Sequence, residues 1–348
     1  MVAFRLLPLA VLGVAPLAAQ NVSRHVLKGP DVAIYDLAGT IQIEAGKADA
    51  VAVEVTRGGA DLGQLRIGEG DLGGRATLRV IYPGDEVRYP RMGNGSTDLR
   101  VREDGTFDDS DDHDRGRRVR ISNDGGGIEA WADLRIEVPA GRSVAVHLAV
   151  GKLTATNIDG RLRLHTANAP VTVNGARGLL DVNVGAGDVQ LTGTEGELRV
   201  STGSGEVQVT RAKGRGLSIE TGSGDVAASA LEAEHLAVRT GSGDVRVTDV
   251  KAPQVGLETG SGAVTAELHG DVDRLDVNTG SGDIAITAPA SLSARLEIQT
   301  ASGEIDSDFP LAVTRGGRDH LRGTVGDGKG MISVETGSGT VRLLRARS

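Results

Sequence analysis

A four-letter phrase, TGSG or a near variant, returns at Thr202, Thr221, Thr240, Thr259, Thr279, Thr300 and Thr336, so its steps are 19, 19, 19, 20, 21 and 36 residues. Val184 in VGAGDV and Thr166 in TANAPV carry the series upstream at steps of 18. A fixed period of this length marks stacked repeats, in which each unit buries its apolar face against its neighbours. Inside one unit, HLAVRTGSGDVRV, the apolar Leu236, Val238, Val245 and Val247 alternate with Ala237, Arg239 and Arg246. Period two is the signature of a half-buried strand. Equivalent places hold Leu217, Ile219 and Val226, then Val255, Leu257 and Val264, then Leu275, Val277, Ile284 and Ile286, then Leu296, Ile298 and Ile305.

Each unit therefore reads as two short strands. The glycine turn joins them on one side and a variable turn (GTEG, RAKGRG, LEAEH, LHGDVD) on the other. Two strands of five or six residues span ~17–20 Å and enclose a core ~10 Å thick. The predicted fold is all-β, a parallel β-solenoid of ~19-residue coils with two short strands per coil and glycine-rich TGSG turns. An antiparallel meander hinged at the same turns is the alternative. It would leave one apolar face uncovered unless it curled into a barrel. The interior of a narrow coil must be filled by small aliphatics, and no aromatic residue occurs between Ala132 and Asp308.

Repetition argues against a nucleotide loop, which a chain normally needs once. No copy ends in the Lys-Ser/Thr of a phosphate-binding loop, and none stands between a strand and an amphipathic helix. The expectation is structural: Gly203, Gly222, Gly241, Gly260, Gly280 and Gly337, each with a second glycine two residues on, permit positive φ at every turn. Directly after the turn come Asp188, Glu206, Asp225, Asp244, Ala263, Asp283 and Glu304, a column spaced ~4.8 Å if the units stack. Capping of its own turn by each carboxylate is the expected role. Cation binding is the competing one, but Ala263 interrupts the column, Ca²⁺ wants six or more oxygens, and the Ca²⁺-binding nonapeptide roll has a turn every nine residues. On the outward positions Glu220, Arg239 and Glu258 predict a charge ladder.

Outside the repeats, MVAFRLLPLAVLGVAPLAAQ has one early Arg, an apolar run and small residues, the layout of an export signal over residues 1–19 with cleavage near Ala19. Residues 20–348 are then one solenoid domain, with no further apolar run long enough to span a membrane. No Cys is present, which removes disulfides, thiol chemistry and lipid attachment at the cleavage region. A net charge of -9 and a pI near 5.4 argue against nucleic-acid binding, which relies on clustered cations to displace counterions. Residues 84–127, around REDGTFDDSDDHDRGRRVR, lack apolar periodicity and are expected to be a flexible acidic and basic insertion. Asp109, Asp111 and His113 within it have EF-hand-like spacing, but neither the sixth-position Gly nor the closing Glu follows.

Catalytic signatures are missing: there is no HExxH, no GxSxG and no Cys nucleophile. Seven His residues are scattered, at 25, 113, 147, 165, 235, 269 and 320; His147 and His165 are expected as a solvated pair on neighbouring coils. A polysaccharide-active enzyme is the rival class, since paired carboxylates serve as acid and base in such enzymes. It would need acids that depart from the repeat and aromatic platforms for sugar rings.

Taken together, DVAIYDLAGTIQIEAG, AVAVEVTRGG, LRIEVPAGRSVAVHLAVGKLTATNIDGRLRLHTANAPVTV, the TGSGDV run, TASGEIDSDFP and LRGTVGDGKGMISVETGSGTVRL resemble the bacterial putative adhesin family of unknown function with β-strand repeats. The chain is similar also to head domains of auto-transporter-like adhesins. The resemblance covers about Val26 to Leu344 and implies an exported β-solenoid with a role in attachment or at the envelope. It implies no catalytic, metal or cofactor residues. The expected molecule is a monomer at the periplasm, cell surface or exterior, facing a glycan, protein or envelope partner; a structural or stress-related component without a ligand is the alternative. The segment 307–330 is expected as an excursion in which Phe309 and Leu311 cover the open end.

Overall fold

The period-two pattern decides the pairing. In Val189–Ser204, Val207–Ser223 and Val226–Ser242 the Val, Leu and Ile positions are buried and the residues between them reach solvent. A computed structural model describes residues 21–107 and 116–346. Strand is the main element of its described residues, and the one helical turn among them is the 3₁₀ segment Leu62–Gln64.

The strand Asp31–Ala45 is the first complete rung of a long parallel stack. Arg142–Asn168 lies on it in register, Ser143 beside Asp31 and Thr156 beside Glu44. Val171–Ala186, Val189–Ser204, Val207–Ser223 and Val226–Ser242 follow, each parallel to the one before. Leu162, Leu180 and Leu198 stand in one column, 18 residues apart, and Leu217 and Leu236 continue it at 19. Parallel pairing of successive repeats rules out the antiparallel meander. The buried side chains form one continuous cluster from Leu27 to Leu343.

Six successive rungs hold a residue in the left-handed region at one corner position: Asn157, Gly175, Gly193, Arg211, Ala230 and Asp249, with φ between 52° and 77°. This column turns the chain from one wall of the stack toward the other. Nothing in the sequence announces it, because four of the six are not glycine.

Sequence order and spatial order part at the C-terminal end. Arg274–Thr279 pairs not with the next repeat but with Gly330–Ser338, and Ala294–Ser302 lies on the other side of that strand. Val341–Arg345 is likewise held between Ile284–Ala288 and Ile305–Ser307. The last repeat in the chain is thus the last but one in space. Residues 308–329 make this possible by leaving and returning; His320–Val325 pairs antiparallel with Ala294–Ser302, and Ala312–Gly316 antiparallel with it in turn. Phe309 is buried and Leu311 packs against the core.

The N-terminal end is also closed by a change of direction. Arg75–Ile81 and Trp131–Val138 lie parallel on the outer side of Asp31–Ala45. Arg66–Leu72 then pairs antiparallel with the former, and Val51–Gly58 with the latter. Antiparallel end strands stop the parallel stack from recruiting a further rung.

Residues 84–127 are the expected flexible insertion. Its described residues form a separate four-stranded sheet from Glu86–Arg88, Ser96–Val101, Arg117–Ser122 and Ile128–Glu129. Val87, Val101, Val119 and Ile121 are buried. The alternation was masked by charge: Arg118 and Arg120 flank Val119 and reach outward, Arg118 toward Asp98 at 3.2 Å. Asp109, Asp111 and His113 lie outside the described residues, as do residues 1–19, expected as an export signal. No described helix is long and apolar enough to cross a membrane.

Candidate functional site

The glycine turns line one edge of the stack, and three columns run along it. The innermost is threonine. Thr240 Oγ1 donates to the Gly224 carbonyl at 3.1 Å, Thr259 to Gly243 at 3.0 Å and Thr279 to Gly262 at 3.0 Å. Each bond ties one rung to the turn of the rung before it. At the C-terminal end Thr336 donates to Gly282 and Thr300 to Gly339, so the ladder follows spatial order.

Glycine forms the second column, and its two copies per turn are needed for different reasons. Positive φ was expected at both. It occurs at the second, Gly224 at 143° and Gly243 at 144°. At the first the limit is room: a Cβ on Gly222 would lie 2.6 Å from the Gly203 carbonyl oxygen, and one on Gly241 2.4 Å from that of Gly222.

The acidic column is the third. Asp188 Oδ1 accepts from the Glu206 N–H at 3.0 Å, Asp225 from Asp244 at 2.8 Å, Asp244 from Ala263 at 2.8 Å and Asp283 from Thr340 at 2.8 Å. Each carboxylate therefore caps the next rung in space, and not its own turn. Repulsion between neighbours, under ~1 kcal/mol at ~4.8 Å in water, is offset by these charge-assisted bonds. Among the described residues no group of three or more His, Asp or Glu is placed to hold a metal ion.

The outer wall carries the expected ladder. Arg239 donates from Nη1 to Glu220 at 3.1 Å and from Nε to Glu258 at 3.3 Å. Arg177 with Glu195 and Lys213 with Glu232 repeat the device on other rungs. Exposed pairs of this kind contribute about 0–1 kcal/mol each.

A second concentration of chemistry lies where the insertion sheet meets the first rung. Five of the seven aromatics, Tyr35, Tyr82, Tyr89, Phe107 and Trp131, gather there. The repeats between Ala132 and Asp308 contain no Phe, Tyr or Trp. His147 was expected in solvent, and the structure corrects this: it is 3% exposed. It sits on the outer wall, but Phe107 of the insertion covers it, at 6.2 Å between ring centroids. Its ring is stacked between Tyr35 at 4.3 Å and His165 at 4.7 Å. Burial holds the His147 imidazole well below its ordinary range, and His165 and Arg75 add to that.

Asp36 is fully buried in the same region. Tyr82 Oη is 2.8 Å from Asp36 Oδ1 and 3.0 Å from the Ala38 carbonyl. Burial pushes the Asp36 carboxyl well above the carboxylate range, and pushes the Tyr82 hydroxyl up as well. The Tyr82 hydroxyl is the donor, shared between the Asp36 carboxyl and the Ala38 carbonyl. The neighbouring Asp133 accepts from the Thr40 N–H and from Arg91 Nη1, both at 2.9 Å. The Arg91 guanidinium lies 4.8 Å from the Trp131 ring centroid. These bonds weld the insertion to the first rung. Asp36 was missed in the sequence, although an acid inside the run VAIYDLAG was its signal.

A family model described as Toastrack DUF4097 matches residues 18–344. No curated protein matches the chain. Among solved structures, a putative adhesin from Parabacteroides merdae is similar, with 11% identity over 93% of this chain and 95% of that one, at a TM-score of 0.37. A putative adhesin from Bacteroides fragilis has 11% identity over 93% and 96%, at a TM-score of 0.30.

Proposed function

The chain belongs to the Toastrack DUF4097 family, and on that premise we propose that it is an exported, non-enzymatic β-solenoid of ~19-residue coils that presents its outer walls to a partner at the cell envelope. The observation that carries this reading is the employment of the acids. Those a glycan-cleaving enzyme would need as acid and base belong to the repeat, and Asp188, Asp225, Asp244 and Asp283 are each engaged by a backbone N–H of the next rung. Asp36 and His147, whose proton affinities burial displaces strongly, are closed off from solvent. What remains facing solvent is a regular, rigid, mixed-charge surface, which suits recognition better than turnover. The export signal over 1–19 places that surface outside the cytoplasm, and the protein acts there as a monomer.

Labelled residues 20–348 incubated with whole cells and with isolated envelope of the parent bacterium test the proposal. Saturable binding to either is expected, with fractionation of the native protein outside the cytoplasm. Absence of binding together with cytoplasmic recovery contradicts it, and exported protein without binding favours a purely structural envelope component.

A further inference from the structure

Alternation puts Ser23, His25 and Leu27 on one face of the strand Val22–Leu27, and Val22, Arg24 and Val26 on the other. The second set reaches solvent, while Leu27 is buried and Ser23 and His25 are half-buried. This strand ends one wall of the stack: it lies antiparallel on Val51–Gly58, which lies on Trp131–Val138 and so on the second half of Asp31–Ala45. Arg66–Leu72 ends the other wall, antiparallel on Arg75–Ile81, which lies on the first half of Asp31–Ala45.

Three side chains join these two end strands. Ser23 Oγ donates to His25 Nε2 at 2.8 Å, and His25 Nδ1 donates to Glu69 Oε1 at 2.5 Å. The Glu69 carboxylate oxygen accepts, which puts the imidazole proton on Nδ1 and leaves the Nε2 lone pair to face the serine hydroxyl. A polar cap on the end of a core could pair these groups in any order. The order found, hydroxyl to imidazole to carboxylate, is the one that makes a serine nucleophilic.

The hydroxyl is also accessible. The His25 side chain is 15% exposed and that of Glu69 48%, so the chain of bonds opens to solvent. Among the described strands Val22–Leu27 pairs with Val51–Gly58 alone, which leaves its other edge free. The Arg57 N–H donates to the Asn21 carbonyl at 2.8 Å, so the hydrogen-bonded pairs of this ladder recur at Ser23 and His25. The Arg24 N–H, the first after the serine, therefore points to the free edge. A backbone N–H in that place can meet a developing oxyanion. The Arg24 guanidinium reaches away from the site, to Glu137 at 3.4 Å.

We infer that Ser23, with His25 as its base and Glu69 orienting the imidazole, is an acyl acceptor that reacts with carboxylic esters. The bond from Oγ to the carbonyl carbon forms as the hydroxyl proton passes to His25 Nε2. The bond from that carbon to the alcohol oxygen then breaks, and the alcohol leaves with the proton. The product is an acyl ester on Ser23, one per chain. The inference goes beyond the envelope-scaffold reading and does not rest on it, since that reading concerns the outer walls and a single adduct is not turnover.

Mass spectrometry of residues 20–348, intact and as peptides, after exposure to p-nitrophenyl acetate and separately to a fluorophosphonate tests the inference. One acetyl group is expected on Ser23, released by hydroxylamine as an ester is and a lysine amide is not, and one phosphonyl group on the same residue. Ser23→Ala is expected to remove both. His25→Gln should slow labelling at least about a hundredfold. Glu69 acts through His25, so Glu69→Gln should slow labelling about tenfold at an unchanged melting temperature, with part of the rate restored in Glu69→Asp. Absence of an adduct on Ser23 from both reagents, or a Ser23 rate that His25→Gln leaves unchanged, overturns the assignment. The adduct is located on the parent protein, so this result stands whether or not a variant folds. Envelope binding is measured separately, and its outcome is independent of the labelling.

Discussion

The carboxylate of Asp225 accepts a hydrogen bond from the backbone N–H of Asp244, 2.8 Å away and one rung further along the stack. The bond needs an acceptor at Oδ1, not a negative charge. Asp225→Ala is expected to cost about 0.5–1 kcal/mol and Asp225→Asn much less, read by urea unfolding. A cation-bridged column would show the reverse: Asn as damaging as Ala, and a melting temperature that moves with Ca²⁺ or chelator.

Ala230 adopts φ 54° at a corner where Gly175 and Gly193 hold the same column position on other rungs. A β-carbon in that region costs about 1–2 kcal/mol, and the greater freedom of glycine in the unfolded chain takes back part of the relief. Ala230→Gly is therefore expected to stabilise by about 0.5–1 kcal/mol in the same unfolding assay. Destabilisation by the glycine would show that the corner is not left-handed.

Asp36 binds its proton more tightly in the fold than in the unfolded chain. An acid of this kind lowers stability as pH rises from the unfolded value near 3.8 toward its folded value, and the loss is complete above that. Asp36→Asn keeps a neutral partner for Tyr82, so its stability relative to the parent should improve between pH 4 and pH 8. A difference independent of pH would mean that the Asp36 environment is polar. Tyr82→Phe, which strands the carboxyl, is expected to cost about 1–3 kcal/mol.

His147 works in the opposite direction. Its folded affinity for protons is below the unfolded value of 6.5, so its stability contribution is full above that pH and is lost as pH falls below it. The groups facing it are His165, Arg75, Tyr35 and Phe107. Replacing it by Phe should flatten the stability profile between pH 7 and pH 5, and an unchanged acid slope would assign that slope elsewhere.

How far the sequence could be read follows from where period and composition agree. The columns Leu217–Leu236 and Glu220–Arg239–Glu258 were legible because alternation and repeat spacing act together on each residue. The corner at Arg211, Ala230 and Asp249 was not, since a left-handed residue that is not glycine leaves no mark in composition. The insertion was hidden because the Arg residues around Val119 and Ile121 outweigh the alternation they frame. His147 was misplaced for the same reason: its lid, Phe107, comes from that segment. The late repeat at Thr336 looked terminal because chain order is the only order a sequence displays, whereas Thr336 bonds to Gly282.

Cross-linking tests the stack most directly, because the chain has no cysteine of its own. Ser333 lies in register between Asp276 and Glu297. Neighbouring parallel positions stand ~4.8 Å apart, within disulfide reach, and positions two rungs apart do not. Asp276→Cys with Ser333→Cys is predicted to oxidise to an intramolecular disulfide, while Asp276→Cys with Glu297→Cys stays reduced. Cross-linking of 276 to 297 and not to 333, or of neither pair, would contradict the parallel stack and the order of its rungs.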